Sequence, residues 1–299
     1  MIEKDTITKA DLGKITLKIK EDFFKSTNSY KITIFLCGGD ITKPNTTRAK
    51  VAEALSDWYG VRYYDIIYPE DIFDELLYSS HGKDLLSLEN MLADNVDVIV
   101  IIPESPGSFT ELGAFANTLK LREKIVCLVD KKYRKKKSFI NQGPLKLIKH
   151  VNKQGVVYIE PTDLALNFHK VKSAIRKVKS SSSKIDDKIG LLQLDNFLLP
   201  IIYLLEPVSK EDLIQCVTFA NDDNVNPIQS TTVALTSLTK KKFIELTTHG
   251  YKLTQVGLNN FLDLRATRDR VKTQDETVAL DNMRLEILNL KYRQKKLKV

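Results

Sequence analysis

Residues 97–103 read Asp-Val-Ile-Val-Ile-Ile-Pro, an apolar run without polar alternation, closed by a proline. A strand that is apolar on both sides must be buried on both faces, which requires a sheet covered by helices above and below. Proline cannot continue a hydrogen-bonded ladder, so the strand stops at Pro103. The same arrangement recurs along the chain. Residues 32–37 run into Gly38-Gly39-Asp40, residues 63–68 end at Pro69, residues 125–129 lead into a basic loop, and residues 156–159 stop short of Pro161. Helical spacing fills the gaps: Val51, Ala52, Leu55 and Trp58 share one face of residues 46–58, and residues 72–77, 85–93 and 109–122 read as further helices. This alternation predicts an α/β fold, a parallel Rossmann-like sheet with flanking helices. Ligands of such sheets sit at the carboxyl ends of the strands. Chemistry is therefore expected between the turn Gly38-Gly39-Asp40 and the turn Ser105-Pro106-Gly107-Ser108.

The pattern changes after the serine run 180–183, which reads as a linker over residues 180–184. The first thirty residues are polar and weakly periodic and read as an extension, so the α/β domain spans 31–179. Beyond the linker, residues 185–299 read as helix after helix: a long apolar helix over 185–205, then 210–221 and 228–242. Two short apolar segments, 243–246 and 251–253, follow as a hairpin around Thr-Thr-His-Gly. A helix from about Thr254 and a basic helix over 278–298 close the chain. Helices followed by a small hairpin predict a winged helix-turn-helix. Tyr251-Lys-Leu-Thr-Gln-Val-Gly257 is similar to a Y-x-L-T-x-x-G stretch at the second wing strand of many winged helices.

Composition narrows the function. The chain carries a net charge of +8, and six of those charges lie in residues 1–183, so a polyanionic partner is expected. Cys37, Cys127 and Cys216 are scattered, with no Cys-x-x-Cys pair, and the four histidines show no metal spacing. No disulfide framework and no metal are expected. No apolar leader and no run near the ~20 residues of a membrane span is seen, so the expected setting is the cytoplasm.

The most informative stretch is residues 103–115, Pro-Glu-Ser-Pro-Gly-Ser-Phe-Thr-Glu-Leu-Gly-Ala-Phe. Ser108 reads as a helix N-cap, which puts Glu111 in the first turn, where the helix dipole favours an ionised carboxylate. Such a group can attack, or stabilise, a sugar carbon whose glycosidic bond is breaking. The same spacing is also a capping box, in which Glu111 merely returns a hydrogen bond to Ser108. Spacing alone does not choose between them. Gly113, inside the helix, suggests a packing or access reason, because glycine there costs ~1 kcal/mol against alanine.

Ser108-Phe-Thr-Glu111-Leu-Gly113-Ala114 resembles the G-T-x-x-E-[LI]-G-Y-A signature of the nucleoside 2-deoxyribosyltransferase-like family. Ile34–Gly39, Tyr68–Asp71, Asn95–Val100 and Lys124–Cys127 are similar to that family's other strands, in order. The resemblance implies that Glu111 is the nucleophile on the anomeric carbon. It also implies that Ser105, Gly107, Ser108 and Thr110, with Gly38, Gly39 and Asp40, bind substrate. By the same alignment Glu89 replaces the family's helix aspartate, and the residues before Glu111 read Gly-Ser-Phe-Thr rather than Gly-Thr. In this family sites are completed across subunits, which implies a homo-oligomer.

A narrower likeness is to bacterial retron effectors that join this fold to a C-terminal winged helix. It rests on Lys31–Asp40, Leu85–Asn90, Pro103–Phe115, Ser138–Pro144, Phe197–Leu205 and Arg284–Ile287. It implies a toxic anti-phage N-glycosidase, with NAD as substrate and no cofactor, restrained by a reverse transcriptase and its multicopy single-stranded DNA. Two other readings stand beside it: a nucleoside or nucleotide deoxyribosyltransferase or hydrolase, and a non-enzymatic, ligand-sensing DNA-binding regulator. The basic run Lys131, Lys132, Tyr133, Arg134, Lys135, Lys136, Lys137 suits phosphate contact and stacking, or a solvated loop. The resemblance favours nucleic acid or the reverse transcriptase. Lys240-Lys241-Lys242 fit DNA or a helix C-terminus equally. Glu70 and Glu104, near strand ends, read as salt-bridged or exposed, Asp97 as structural, and Cys37 and Cys127 as inert core thiols.

Overall fold

The computed structural model describes residues 7–25, 31–57, 63–70, 95–181, 189–221, 226–266 and 273–297. The expected helices over 72–77 and 85–93, and with them Glu89, lie outside the described residues. The chain divides into two compact units. One holds residues 31–186; the other joins residues 1–30 to residues 187–299.

The first described helix, α1 (Lys9–Ile19), belongs to the second unit. Thr8 caps it by accepting from the Asp11 amide, and Leu12, Ile15 and Ile19 are buried. Little in the residue pattern signals this helix, because lysines interrupt the apolar positions. Their long stems can leave a buried stripe while their heads reach polar partners. Lys20 does this: it is buried, and its Nζ donates to the carbonyl of Ala220 at 2.6 Å.

The α/β unit is a five-stranded parallel sheet: β1 (Ile32–Cys37), β2 (Tyr64–Ile67), β3 (Val98–Ile101), β4 (Ile125–Asp130) and β5 (Val156–Ile159). Their order is β2-β1-β3-β4-β5. The helices that matter here are α2 (Thr47–Leu55), α3 (Pro106–Asn117), α4 (Pro144–Val151) and α5 (Leu164–Ser181). Alternate side chains of β1 serve the two faces. Ile34 and Leu36 join Val51 and Leu55 of α2 and Val171, Ile175 and Val178 of α5 in one buried cluster. Phe35 points to the other face, its ring centroid 6.4 Å from that of Phe115 on α3. Every residue of β3 is buried, which accounts for its unbroken apolar sequence. Asp97 has the structural role expected of it: its Oδ2 accepts from the Thr33 amide at 2.9 Å, and its Oδ1 pairs with Lys179.

The crossing point of the sheet lies between β1 and β3. From β1 the chain leaves through α2 to β2 on one side; β3 pairs on the other. A crevice at the carboxyl ends of strands forms at such a point. The turn Gly38-Gly39-Asp40 lies at the end of β1, whereas of the expected turn Ser105-Pro106-Gly107-Ser108 only Ser105 precedes the helix α3, residues 106–108 being its first turn.

The helical unit also contains α6 (Leu194–Leu205), α7 (Lys210–Ala220), α8 (Pro227–Lys240), the antiparallel pair β6 (Ile244–Thr247) and β7 (Gly250–Leu253), α9 (Gln255–Ala266) and α10 (Thr273–Leu297). The long helix expected over 185–205 is shorter. Ile189 is held in extended chain by the side chain of Asn221, which accepts from its amide at 2.7 Å and donates to its carbonyl at 3.0 Å. A single 3-10 turn, Leu191–Gln193, then leads into α6. The glycine of the Y-x-L-T-x-x-G stretch has a packing reason. A Cβ on Gly257 would lie 1.9 Å from the carbonyl oxygen of Phe243, while its amide donates to Thr254 Oγ1 at 3.0 Å.

Candidate active site

The loop after β3 starts α3 three residues earlier than the sequence suggests. The N-cap is Ser105, not Ser108. Ser105 Oγ accepts from the Ser108 amide at 3.2 Å, and Ser108 Oγ accepts from the Ser105 amide at 2.9 Å. Pro106 follows at the first helical position, where its missing N–H costs nothing. The capping box is therefore a serine pair, and Glu111 has no part in it. Glu111 instead stands in the second turn, half-buried, on the face toward β1. Gly113 supplies no packing reason, because a Cβ there would meet open space.

Cys37, Arg48 and Glu70 act on Glu111, and Tyr68 packs against Arg48. The thiol of Cys37, the last residue of β1, is fully buried and hydrogen-bonds the Glu111 carboxylate. Arg48, from the first turn of α2, acts on Glu111 through its charge. Its guanidinium is 1% exposed and grips Glu70, just past β2, with both terminal nitrogens at 2.7 and 2.6 Å. The same guanidinium donates to the Gly39 carbonyl at 3.0 Å and lies 5.2 Å from the Tyr68 ring centroid. Glu70 itself has a side chain that is 58% exposed.

The electrostatics follow from this placement. Burial raises the Glu111 carboxyl above its ordinary value; the Cys37 thiol and the Arg48 charge oppose that rise, and Glu70 adds to it. The first-turn position expected for Glu111 is thus corrected, and burial makes it a more basic carboxylate than a free glutamate. The Arg48 bonds hold Glu70 below its ordinary value. Burial, reinforced by Glu111, pushes the Cys37 thiol well up, so Cys37 stays protonated and donates a hydrogen bond to the carboxylate.

The other candidates fall into place around this centre. Gly38 lies so close to Arg48 that a Cβ would come within 2.8 Å of its side chain. The Gly39 amide and the first amides of α2 form an anion cradle, and the Glu104 carboxylate fills it. Glu104 accepts from Gly39, Thr47 and Arg48 at 3.1, 2.9 and 2.9 Å. Asp40 is turned into a local loop, accepting from the Thr42 amide and hydroxyl at 3.0 and 2.7 Å. Ser105 Oγ reaches the Gly38 carbonyl at 3.1 Å and ties the two turns together. Thr110 Oγ1 donates to the Pro106 carbonyl at 3.0 Å, within its own helix. Gly107 is exposed at the second position of α3. Sequence reasoning missed Arg48. Its signal was there: positions 48, 51, 52 and 55 share one face of α2, so a charge at 48 sits on the apolar stripe.

The basic run lies at the end of β4, away from this centre in sequence. Lys131 pairs with Glu160 at 2.7 Å and Lys132 with Asp130 at 2.8 Å. Lys132 and Lys136 both stand over the Tyr133 ring, and Arg134 and Lys149 over that of Tyr158. Among the described residues, no carboxylate pairs with Arg134, Lys135, Lys136 or Lys137. No group of three or more His, Cys, Asp or Glu is gathered in metal-binding fashion among the described residues. No described helix is long and apolar enough to cross a membrane.

The order β2-β1-β3-β4-β5, with carboxylates gathered at its crossing point, defines a doubly wound α/β protein, a class whose ligands bind at the strand ends. The sequence profile of the STM3845 retron effector protein family matches residues 44–246. The chain is also 38% identical, over 95% of its length and 92% of the relative's, to the Escherichia coli protein named "Retron Ec86 putative ribosyltransferase/DNA-binding protein". A second Escherichia coli relative, "Retron Ec73 putative ribosyltransferase/DNA-binding protein", is 26% identical over 67% of this chain and 70% of its own. The chain belongs to the STM3845 family of retron effector proteins.

Proposed function

We propose that the chain is the toxic effector of a retron anti-phage system and an N-glycosidase that hydrolyses the nicotinamide–ribose bond of NAD. The observation that carries the reading is the placement of Glu111. Its carboxylate is not spent on a helix cap; it stands at the crossing point of the sheet, held by a buried thiol and faced by a buried guanidinium.

In this mechanism a Glu111 oxygen attacks C1′ of the nicotinamide ribose. The C1′–N bond breaks, and its electron pair neutralises the pyridinium nitrogen, so nicotinamide leaves uncharged. Water then opens the ribosyl ester, giving ADP-ribose, a free carboxylate and one proton. Arg48 keeps Glu111 ionised, and Cys37 fixes the oxygen it bonds, leaving the other for attack. Ser105 and Ser108 hold the loop, and Gly107 leaves room for substrate beside it.

The relatives' names favour ribosyl chemistry, and they also carry the words DNA-binding. This supports reading the helical unit as a winged helix. It also supports an assembly with reverse transcriptase and multicopy single-stranded DNA that keeps the effector inactive. In that assembly Arg134, Lys135, Lys136 and Lys137, beside Tyr133, meet phosphates. Incubating the full chain with NAD, and separately with deoxynucleosides, tests the substrate. Nicotinamide and ADP-ribose are expected from the first and no free base from the second; the reverse result would establish a deoxyribosyl enzyme.

A further inference from the structure

The Arg48–Glu70 pair imposes a cost that the fold does not require. Position 48 shares the buried face of α2 with Val51, Ala52 and Leu55, and an aliphatic side chain there would pack without desolvating a charge. Buried ion pairs can often be replaced by apolar residues with no loss of stability. What the pair does supply is a fixed carboxylate. Each Glu70 oxygen takes one Arg48 N–H, at 2.7 and 2.6 Å, so the carboxylate plane is held against rotation. A main-chain hydrogen bond takes part of the remaining acceptor capacity, and the side chain is still 58% exposed.

Glu70 stands just past β2, at the carboxyl edge of the strand beside β1, and interacts through charge with Glu111. It is thus an oriented, partly exposed acceptor near the attacking carboxylate; it takes a main-chain hydrogen bond besides those of Arg48, and any further partner must be a donor. In dinucleotide-binding sheets an acidic residue downstream of the first turn takes the ribose 2′-hydroxyl. With its inner edge taken by Arg48, the carboxylate has only divergent outer lone pairs left, which suits one hydroxyl of a sugar rather than an adjacent pair. Resting on the glycosidase reading, we propose that Glu70 accepts from the 2′-hydroxyl of the sugar that Glu111 attacks. The site then selects ribosyl over 2′-deoxyribosyl substrates. A 2′-deoxy sugar would leave one Glu70 oxygen facing a methylene, and sites built to bond a hydroxyl reject the analogue lacking it.

The test is calorimetric titration of the full-length Glu111→Gln chain, in which bound substrate persists. The ligands are NAD and its analogue with 2′-deoxyribose on the nicotinamide side. NAD is expected to bind at least about tenfold more tightly, the effect of one hydrogen bond to a charged group. Adding Glu70→Gln is expected to bring the two affinities within about twofold. Glu70→Asp keeps a charge for Arg48 and withdraws the acceptor by one methylene; it too is expected to erode the preference. A merely structural Glu70 would weaken both ligands equally. Unchanged preference in these variants, equal affinities before substitution, or binding of neither ligand overturns the proposal. Failure of the glycosidase reading would look different: NAD bound with a ribose preference, yet no nicotinamide released when Glu111 is restored.

Discussion

Removing the exposed member of the Arg48–Glu70 pair should destabilise the α/β unit more than removing the buried one. Arg48 is 1% exposed and Glu70 58% exposed. In Glu70→Gln the guanidinium stays buried and charged, with the Gly39 carbonyl and the Tyr68 ring as its remaining partners. Stranding one member of a fully buried pair costs about 3–5 kcal/mol. Because those partners remain, we expect about 2 kcal/mol here. In Arg48→Met an unbranched chain fills the same space, and Glu70 simply returns to water. The main loss is the Gly39 bond, about 1 kcal/mol. The double variant should resemble Arg48→Met, so the two effects fall about 2 kcal/mol short of adding. Urea unfolding at neutral pH, followed by fluorescence, reads this unit, because the single tryptophan, Trp58, lies within residues 31–186. Additive losses, or Arg48→Met as the more damaging change, would refute the reasoning.

Burial raises the Glu111 carboxyl, so the native state binds its proton more tightly than the unfolded chain does. Stability should therefore fall as pH rises from the ordinary glutamate range through the raised native value, then level off; Glu111→Gln should lack this fall and be the more stable protein at neutral pH. Cys37→Ala removes the thiol bond that opposes the rise, so the acid limb of the pH–rate profile should move to higher pH, while Cys37→Ser, which keeps a donor, should move it less. Gly257→Ala should destabilise the helical unit by about 3 kcal/mol or more, measured by thermal melting, because the added carbon meets a main-chain carbonyl at 1.9 Å. Lys135→Glu with Lys137→Glu should weaken binding to single-stranded DNA and reduce its salt slope by roughly one for each lost phosphate contact; an unchanged slope would assign these lysines to solvent.

The sheet was legible because β3 is apolar without interruption, a pattern that calls for a doubly covered parallel sheet, and because apolar runs recur between the helical stretches. The crevice followed from where the glycine and proline turns fell. The start of α3 was displaced because Ser105 and Ser108 are both capable caps. Choosing between them depends on Pro106, which prefers the first helical turn. That shift decided the meaning of Glu111, since it removed the capping role that spacing alone left open. Arg48 was hidden by the habit of reading a stripe from its apolar members. Its bonds to Gly39 and Glu70 come from segments 9 and 22 residues away, which no periodicity reports. Helix α1 escaped for a related reason: Lys20 looks like a surface residue until the Ala220 carbonyl is placed beside it.

Release of nicotinamide from NAD by the full-length chain and by its Glu111→Gln variant reads the central carboxylate most directly. Turnover by the native chain, with none from a variant that unfolds at an equal or higher urea concentration, is the predicted outcome. Nicotinamide released at comparable rates by both proteins would mean that some other group attacks the sugar.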